Sequence, residues 1–136
     1  MMKFRESRAH RRWRPAALVA TVLALAALPA CGRQRPRQEV EGGDAQLGRQ
    51  AIQRYGCGTC HIVPGVPGAD GRQAQMLVGF GDRADIVGAA ENTPDNLIKW
   101  IREPQSIEPR TKMPALGVTE KDARDIAAYL FSLRAE

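Results

Sequence analysis

Aromatic residues are scarce in this 136-residue chain, at 5% of the total, and from residue 45 onward they are Tyr55, Phe80, Trp100, Tyr129 and Phe131 alone. So thin a stock of large apolar side chains makes a small domain marginal on its own core. Strand periodicity is missing as well: no stretch alternates apolar and polar residues cleanly, which argues against a sheet-based fold. Histidine is limited to two residues and cysteine to three. That leaves little material for a metal cluster or a disulfide framework.

A usable excess of charge is absent too, although the totals hide it. The chain carries 20 basic and 15 acidic residues, and its pI is near 9.6. Residues 1–30 hold six of the basic residues and one of the acidic, which is the whole of the +5. From Cys31 onward there are 14 of each sign. The opening "MMKFRESRAHRRWR" followed by "PAALVATVLALAALPA" has the basic, apolar, small-residue layout of a secretory signal peptide. The apolar run, about 15 residues, is short of the roughly 20 that a membrane-spanning helix needs. The basic excess therefore leaves with residues 1–30, and with it goes the case for a nucleic-acid partner.

The signal ends in "LPAC", which resembles the lipobox of bacterial lipoproteins and marks Cys31 as the acylated first residue of the mature chain. Pro29 departs from the favoured residue there; ordinary cleavage and an uncleaved anchor are the alternatives. The expected location is the bacterial periplasm, on the outer side of the cytoplasmic membrane and held by lipid. Residues 31–44, "CGRQRPRQEVEGGD", are polar, carry Gly and Pro and have no apolar period. They read as a flexible tether, with the domain proper at residues 45–136.

Three amphipathic helices can be placed in that domain. The first starts after Asp44, a good N-cap, and carries Leu47, Ala51, Ile52 and Tyr55 at helical spacing. The second begins in "TPDNLIKWIREP", with Thr93 as cap, Pro94 in the first turn and Pro104 as terminator. The third begins in "TEKD", where Thr119 and Asp122 have capping-box spacing, and its apolar stripe is Ala123, Ile126, Ala127, Leu130 and Leu133. The domain is expected to be all-α. Connections over 56–92 and 104–118 are long for a chain with no strands, and such lengths mark a functional role or a missing component. A large apolar cofactor would complete the core.

The stretch "YGCGTCHIVPGVPGADG", residues 55–71, names the candidate. A thioredoxin-like dithiol at Cys57 and Cys60 would need a preceding strand and a βαβ frame. Zinc would need a fourth ligand beyond Cys57, Cys60 and His61 once Cys31 is blocked by lipid. A plain disulfide leaves His61 without a role. C-x-x-C-H is the attachment pattern of c-type haem: the two thiols hold the porphyrin through its vinyl groups and the adjacent histidine sits beneath the iron.

With the motif in place, residues 45–136 resemble a class I cytochrome c of the monohaem kind. The run from Asn92 to Leu130 is similar to small cytochromes found with bacterial haem–copper terminal oxidases. The resemblance implies three to four helices wrapped around one covalent haem c, with Gly48 and Ile52 packed against Tyr129 and Leu130 of the last helix. It implies His61 as proximal ligand. The distal ligand falls to Met113 in "TKMPAL", on a loop stiffened by Pro104, Pro109 and Pro114. Met76 is read as core filler, and an open sixth position is the alternative to Met113. One departure is visible. The family usually has Gly-Pro-x-Leu after the haem motif, where the proline carbonyl accepts the histidine N–H; here the stretch is Ala74-Gln75-Met76-Leu77, which keeps a carbonyl at Gln75 without the stiff ring. Trp100, Arg72, Arg110 and Lys112 are candidates to reach the haem propionates.

The function this implies is one-electron transfer, with redox proteins as donor and acceptor and a respiratory terminal oxidase among them. No constellation of catalytic residues points to an enzyme. The rival readings are a gas-binding or sensing haem protein with an open sixth site, and an accessory redox subunit fixed in a larger complex.

Overall fold

The structure, a computed structural model, describes residues 36–135. The signal segment 1–30, the lipidation candidate Cys31 and the start of the tether lie outside the described residues. Three helices are present among the described residues: α1, Ala45–Arg54; α2, Pro94–Arg102; and α3, Glu120–Ser132. Single turns of 3-10 helix occupy Cys57–Thr59, Phe80–Asp82 and Pro104–Ser106. Among the described residues the extended pairings are a two-residue antiparallel pair, with Asp85 opposite Glu91 and Ile86 opposite Ala90, and an isolated antiparallel bridge between Ile62 and Asp70. The all-α expectation holds in substance; a pairing this short has no alternation to read.

Each helix starts where its cap dictates. The Asp44 carboxylate accepts the backbone N–H groups of Gln46 and Leu47 at 2.8 and 3.0 Å. Thr93 caps α2 through the Asn96 N–H, with Pro94 in the first turn, and the helix stops at Arg102, just ahead of Pro104. At α3 the Thr119 hydroxyl accepts from the Asp122 N–H at 3.2 Å. The reciprocal bond differs from the expected box: Asp122 takes the Thr119 hydroxyl, at 2.9 Å, and the Thr119 N–H points to the Tyr55 hydroxyl, at 3.5 Å.

The helices α1 and α3 cross at Gly48. A Cβ there would lie 1.9 Å from the Asp125 carbonyl oxygen, so only hydrogen fits at that crossing. Gly48 therefore meets α3 one turn earlier than the expected Tyr129–Leu130 pair. The Asp125 side chain, buried at 2% exposure, accepts the Asp44 N–H at 2.8 Å and pairs with Lys121, tying the start of α1 to the middle of α3. Tyr129 turns elsewhere, donating to the Pro64 carbonyl at 2.6 Å. Beneath these helices Phe80 and Phe131 meet edge to face, with centroids 6.3 Å apart.

Part of the stretch before residue 45 rests on the domain. Val40 is buried in the core, Gln38 donates to the Asn92 carbonyl at 3.0 Å, and Arg124 reaches the Glu41 carbonyl at 3.3 Å. Glu39, Glu41, Gly42 and Asp44 stay exposed around that contact. A single apolar residue among polar ones has no period, which is why the sequence did not mark it.

Candidate functional site

The end of α1 delivers the two thiols. Tyr55 closes the helix, Gly56 takes the left-handed conformation at φ 71°, and the chain turns through Cys57–Thr59. The Cys60 and His61 N–H groups both bond back to the Cys57 carbonyl, at 3.3 and 3.0 Å. This tight turn puts Cys57, Cys60 and His61 on the wall of one cavity. The two sulfurs are not bonded to one another. Burial pushes the Cys57 thiol above its ordinary pKa, and the neighbouring Cys60 adds to that.

Residues 61–79 fold back over this turn. The Gly71 N–H bonds to the Gly58 carbonyl at 3.0 Å, those of Gln73 and Ala74 to the Cys60 carbonyl, and that of Leu77 to the Ile62 carbonyl at 2.9 Å. Gly71 presses so close that a Cβ would lie 2.2 Å from the Thr59 carbonyl oxygen. The return brings the Gln75 carbonyl 2.7 Å from His61 Nδ1. A carbonyl only accepts, so Nδ1 carries the proton and Nε2 keeps its lone pair for the cavity.

The cavity is about 610 Å³, inside the range of small-molecule and cofactor sites, roughly 300–1,000 Å³. Leu77, Phe80, Ile86 and Trp100 form apolar wall, and the thioether of Met113 joins them. A smaller recess of about 60 Å³ shares that wall and runs to Ile52, Leu97, Ile126 and Leu130 in the core. Met113 arrives on a segment held by side chains: Gln105 Nε2 donates to its carbonyl at 2.8 Å, and its own N–H donates to the Thr111 hydroxyl at 3.2 Å. Val87 and Leu116, both well exposed, stand at the edge of the cavity.

A large, flat, mainly apolar group with two attachment points suits this wall. It offers two unbonded thiols, an imidazole with its far nitrogen already committed, and a thioether, in an otherwise apolar surround. Of the propionate candidates, Trp100 and Lys112 line the cavity and Arg72 and Arg110 do not. Met76 is 54% exposed and off the cavity wall, so it is neither core filler nor positioned as a ligand. Gln105 and Arg83 escaped the sequence reading. Both act on backbone carbonyls, and any residue supplies one of those.

Residues 45–134 match the cytochrome c family, and the chain belongs to it. The family binds haem c covalently, and Cys57 and Cys60 fit its attachment site. Among similar proteins is cytochrome c oxidase subunit 2 of Alkalihalophilus pseudofirmus, 40% identical over 91 residues that cover 66% of this chain and 26% of that one. The chain thus spans about a quarter of the length of that oxidase subunit. Cytochrome c2 of Rhodopila globiformis is 35% identical over 88 residues, covering 57% of this chain and 83% of that one. The crystal structure of cytochrome c2 from Rhodobacter sphaeroides aligns with a TM-score of 0.41 at 20% identity, covering 69% of this chain and 98% of that one.

Proposed function

We propose that this chain is a lipid-anchored one-electron carrier on the outer side of the bacterial cytoplasmic membrane, serving a terminal oxidase, with His61 and Met113 as its two axial ligands. The observation that carries the reading is the meeting of His61 and Met113 on the wall of one apolar cavity beside two unbonded thiols. When bound, haem c supplies an iron that cycles between ferrous and ferric states, one electron at a time. Cys57 and Cys60 hold it through thioether bonds. His61 offers Nε2, and the Gln75 carbonyl fixes its tautomer and raises its basicity by accepting the Nδ1–H hydrogen bond. Met113 offers Sδ, a softer and weaker donor that favours the ferrous state. Leu77, Phe80 and Trp100 keep water from the ring.

His61 and Met113 would both hold the iron, which would leave it to carry electrons rather than to bind a substrate. The oxidase assignment rests on the similarity to a segment of oxidase subunit 2. The anchor rests on "LPAC" and the polar stretch after it. An optical spectrum of the reduced protein with and without carbon monoxide tests the ligation: the spectrum should not change. Free binding of carbon monoxide would replace this reading with that of a gas-binding protein. Cys31→Ala should release the protein from membranes; stable attachment of that variant would remove the lipid anchor.

A further inference from the structure

The Gln75 carbonyl orients His61, yet little packing holds the backbone beside it. Met76 and Val78 are exposed at 54% and 52%, and of the three residues after Gln75 only Leu77 turns inward. Beside the Leu77 N–H bond to the Ile62 carbonyl, a side chain from further along holds this stretch. The guanidinium of Arg83 donates to the Met76 carbonyl, one peptide beyond the carbonyl that accepts the histidine N–H, and to the Val78 carbonyl at 3.3 Å. Arg83 is itself well seated. Its guanidinium lies 5.1 Å from the centroid of Phe80, a ring buried against Phe131. Its backbone N–H bonds to the Phe80 carbonyl at 3.2 Å, and its carbonyl accepts from the buried Asn92 amide at 3.3 Å. Both bonds come from one terminal nitrogen, Nη2, of a guanidinium whose plane is seated against Phe80; a lysine ammonium is a point charge on a flexible stem and lacks that seat.

We propose that Arg83 is a positioning residue for the His61 imidazole, holding the 75–78 backbone so that the Gln75 carbonyl keeps the Nδ1–H hydrogen bond. This rests on the reading of His61 as an iron ligand. The hydrogen bond makes the imidazole more basic, and a more basic ligand stabilises ferric iron. Loosening it therefore raises the reduction potential. Removing a positive charge near the iron would lower the potential, so a charge effect and a positioning effect have opposite signs.

The test uses the haem-loaded protein and Arg83→Lys, which keeps the charge and loses the planar guanidinium seated against Phe80. The potential should rise, and the His61 Nδ1 proton should exchange with solvent about tenfold faster, as read by NMR. Adding Gln75→Pro should restore both, since proline fixes φ and the Gln75 N–H makes none of this loop's backbone hydrogen bonds. If Arg83→Lys leaves potential and exchange unchanged, or lowers only the melting temperature, the proposal is overturned. If Arg83→Lys does not accumulate, exchange is read in Arg83→Gln instead. Faster exchange of the Nδ1 proton supports the proposal, and unchanged exchange overturns it. Should the Nδ1 proton of the unaltered protein lack an iron-induced shift, His61 is not the ligand, and the proposal falls with that reading rather than through Arg83.

Discussion

The two segments that bring ligand candidates to the cavity are built in different ways. Residues 61–79 are laced to the thiol-bearing turn by backbone bonds: Gly71 to Gly58, Gln73 and Ala74 to Cys60, Leu77 to Ile62. Residues 104–118 begin with comparable bonds around Pro104, but from Lys112 to Val118 no backbone-to-backbone hydrogen bond is made among the described residues. There Met113 is held by the Gln105 amide and the Thr111 hydroxyl, between prolines. The difference teaches that the histidine side is shaped by the chain itself. The methionine side leaves much of its order to the bond that Met113 is proposed to make.

Breaking that bond should have the largest effect. Met113→Ala is expected to open the sixth position, lower the potential and admit carbon monoxide. The domain should also lose about 2 kcal/mol or more by denaturant unfolding, because a side chain on the cavity wall is lost along with the iron–sulfur bond. The histidine side should instead fail through packing. Gly71→Ala drives a Cβ against the Thr59 carbonyl and should cost about 3 kcal/mol. Denaturant unfolding checks this, and a cost near zero would mean that the return over the thiols is looser than it looks.

A smaller effect sharpens the comparison at the junction of the methionine segment with α3. Asp122 accepts the Tyr55 hydroxyl at 2.8 Å, the Thr119 hydroxyl and the Arg54 guanidinium. The Tyr55 hydrogen bond chiefly, with those of Thr119 and Arg54, holds its carboxyl below the ordinary aspartate value against some opposing burial. A carboxylate with a depressed folded-state pKa contributes stability above its unfolded value, about 3.9, and loses it as pH falls through the folded one. Asp122→Asn should therefore melt lower than the unaltered chain at neutral pH, and the gap should close in acid below that value. A gap that is constant with pH would remove the charge from the explanation. Least of all, Gln105→Ala should cost about 1 kcal/mol in denaturant unfolding, since one exposed hydrogen bond then no longer restrains Met113. An unchanged stability would shift the restraint onto the prolines.

Much of the scaffold was legible because its signals are local. Asp44, Thr93 and Thr119 cap the three helices that they were expected to cap, since a cap needs only its own next few N–H groups. The thiols and His61 share a cavity because C-x-x-C-H compresses them into one turn. Met113 reached the same wall, as its place before the last helix implied. What escaped depends on distant backbone. Nothing in the residue types says that Arg83 will find the Met76 carbonyl, that Gln105 will find that of Met113, or that Val40 will be buried in the core. Met76 misled because an apolar residue near the motif looks like packing, whereas its neighbour Leu77 takes the inward place and leaves it exposed.

The most direct test of the account is the ferric absorption band at the red edge of the visible spectrum, which reports sulfur bound to iron. It should be present in the unaltered protein, absent in Met113→Ala and intact in Met76→Leu. A band that survives in Met113→Ala, or is missing from the unaltered protein, would contradict the proposed ligation and the electron-carrier mechanism built on it.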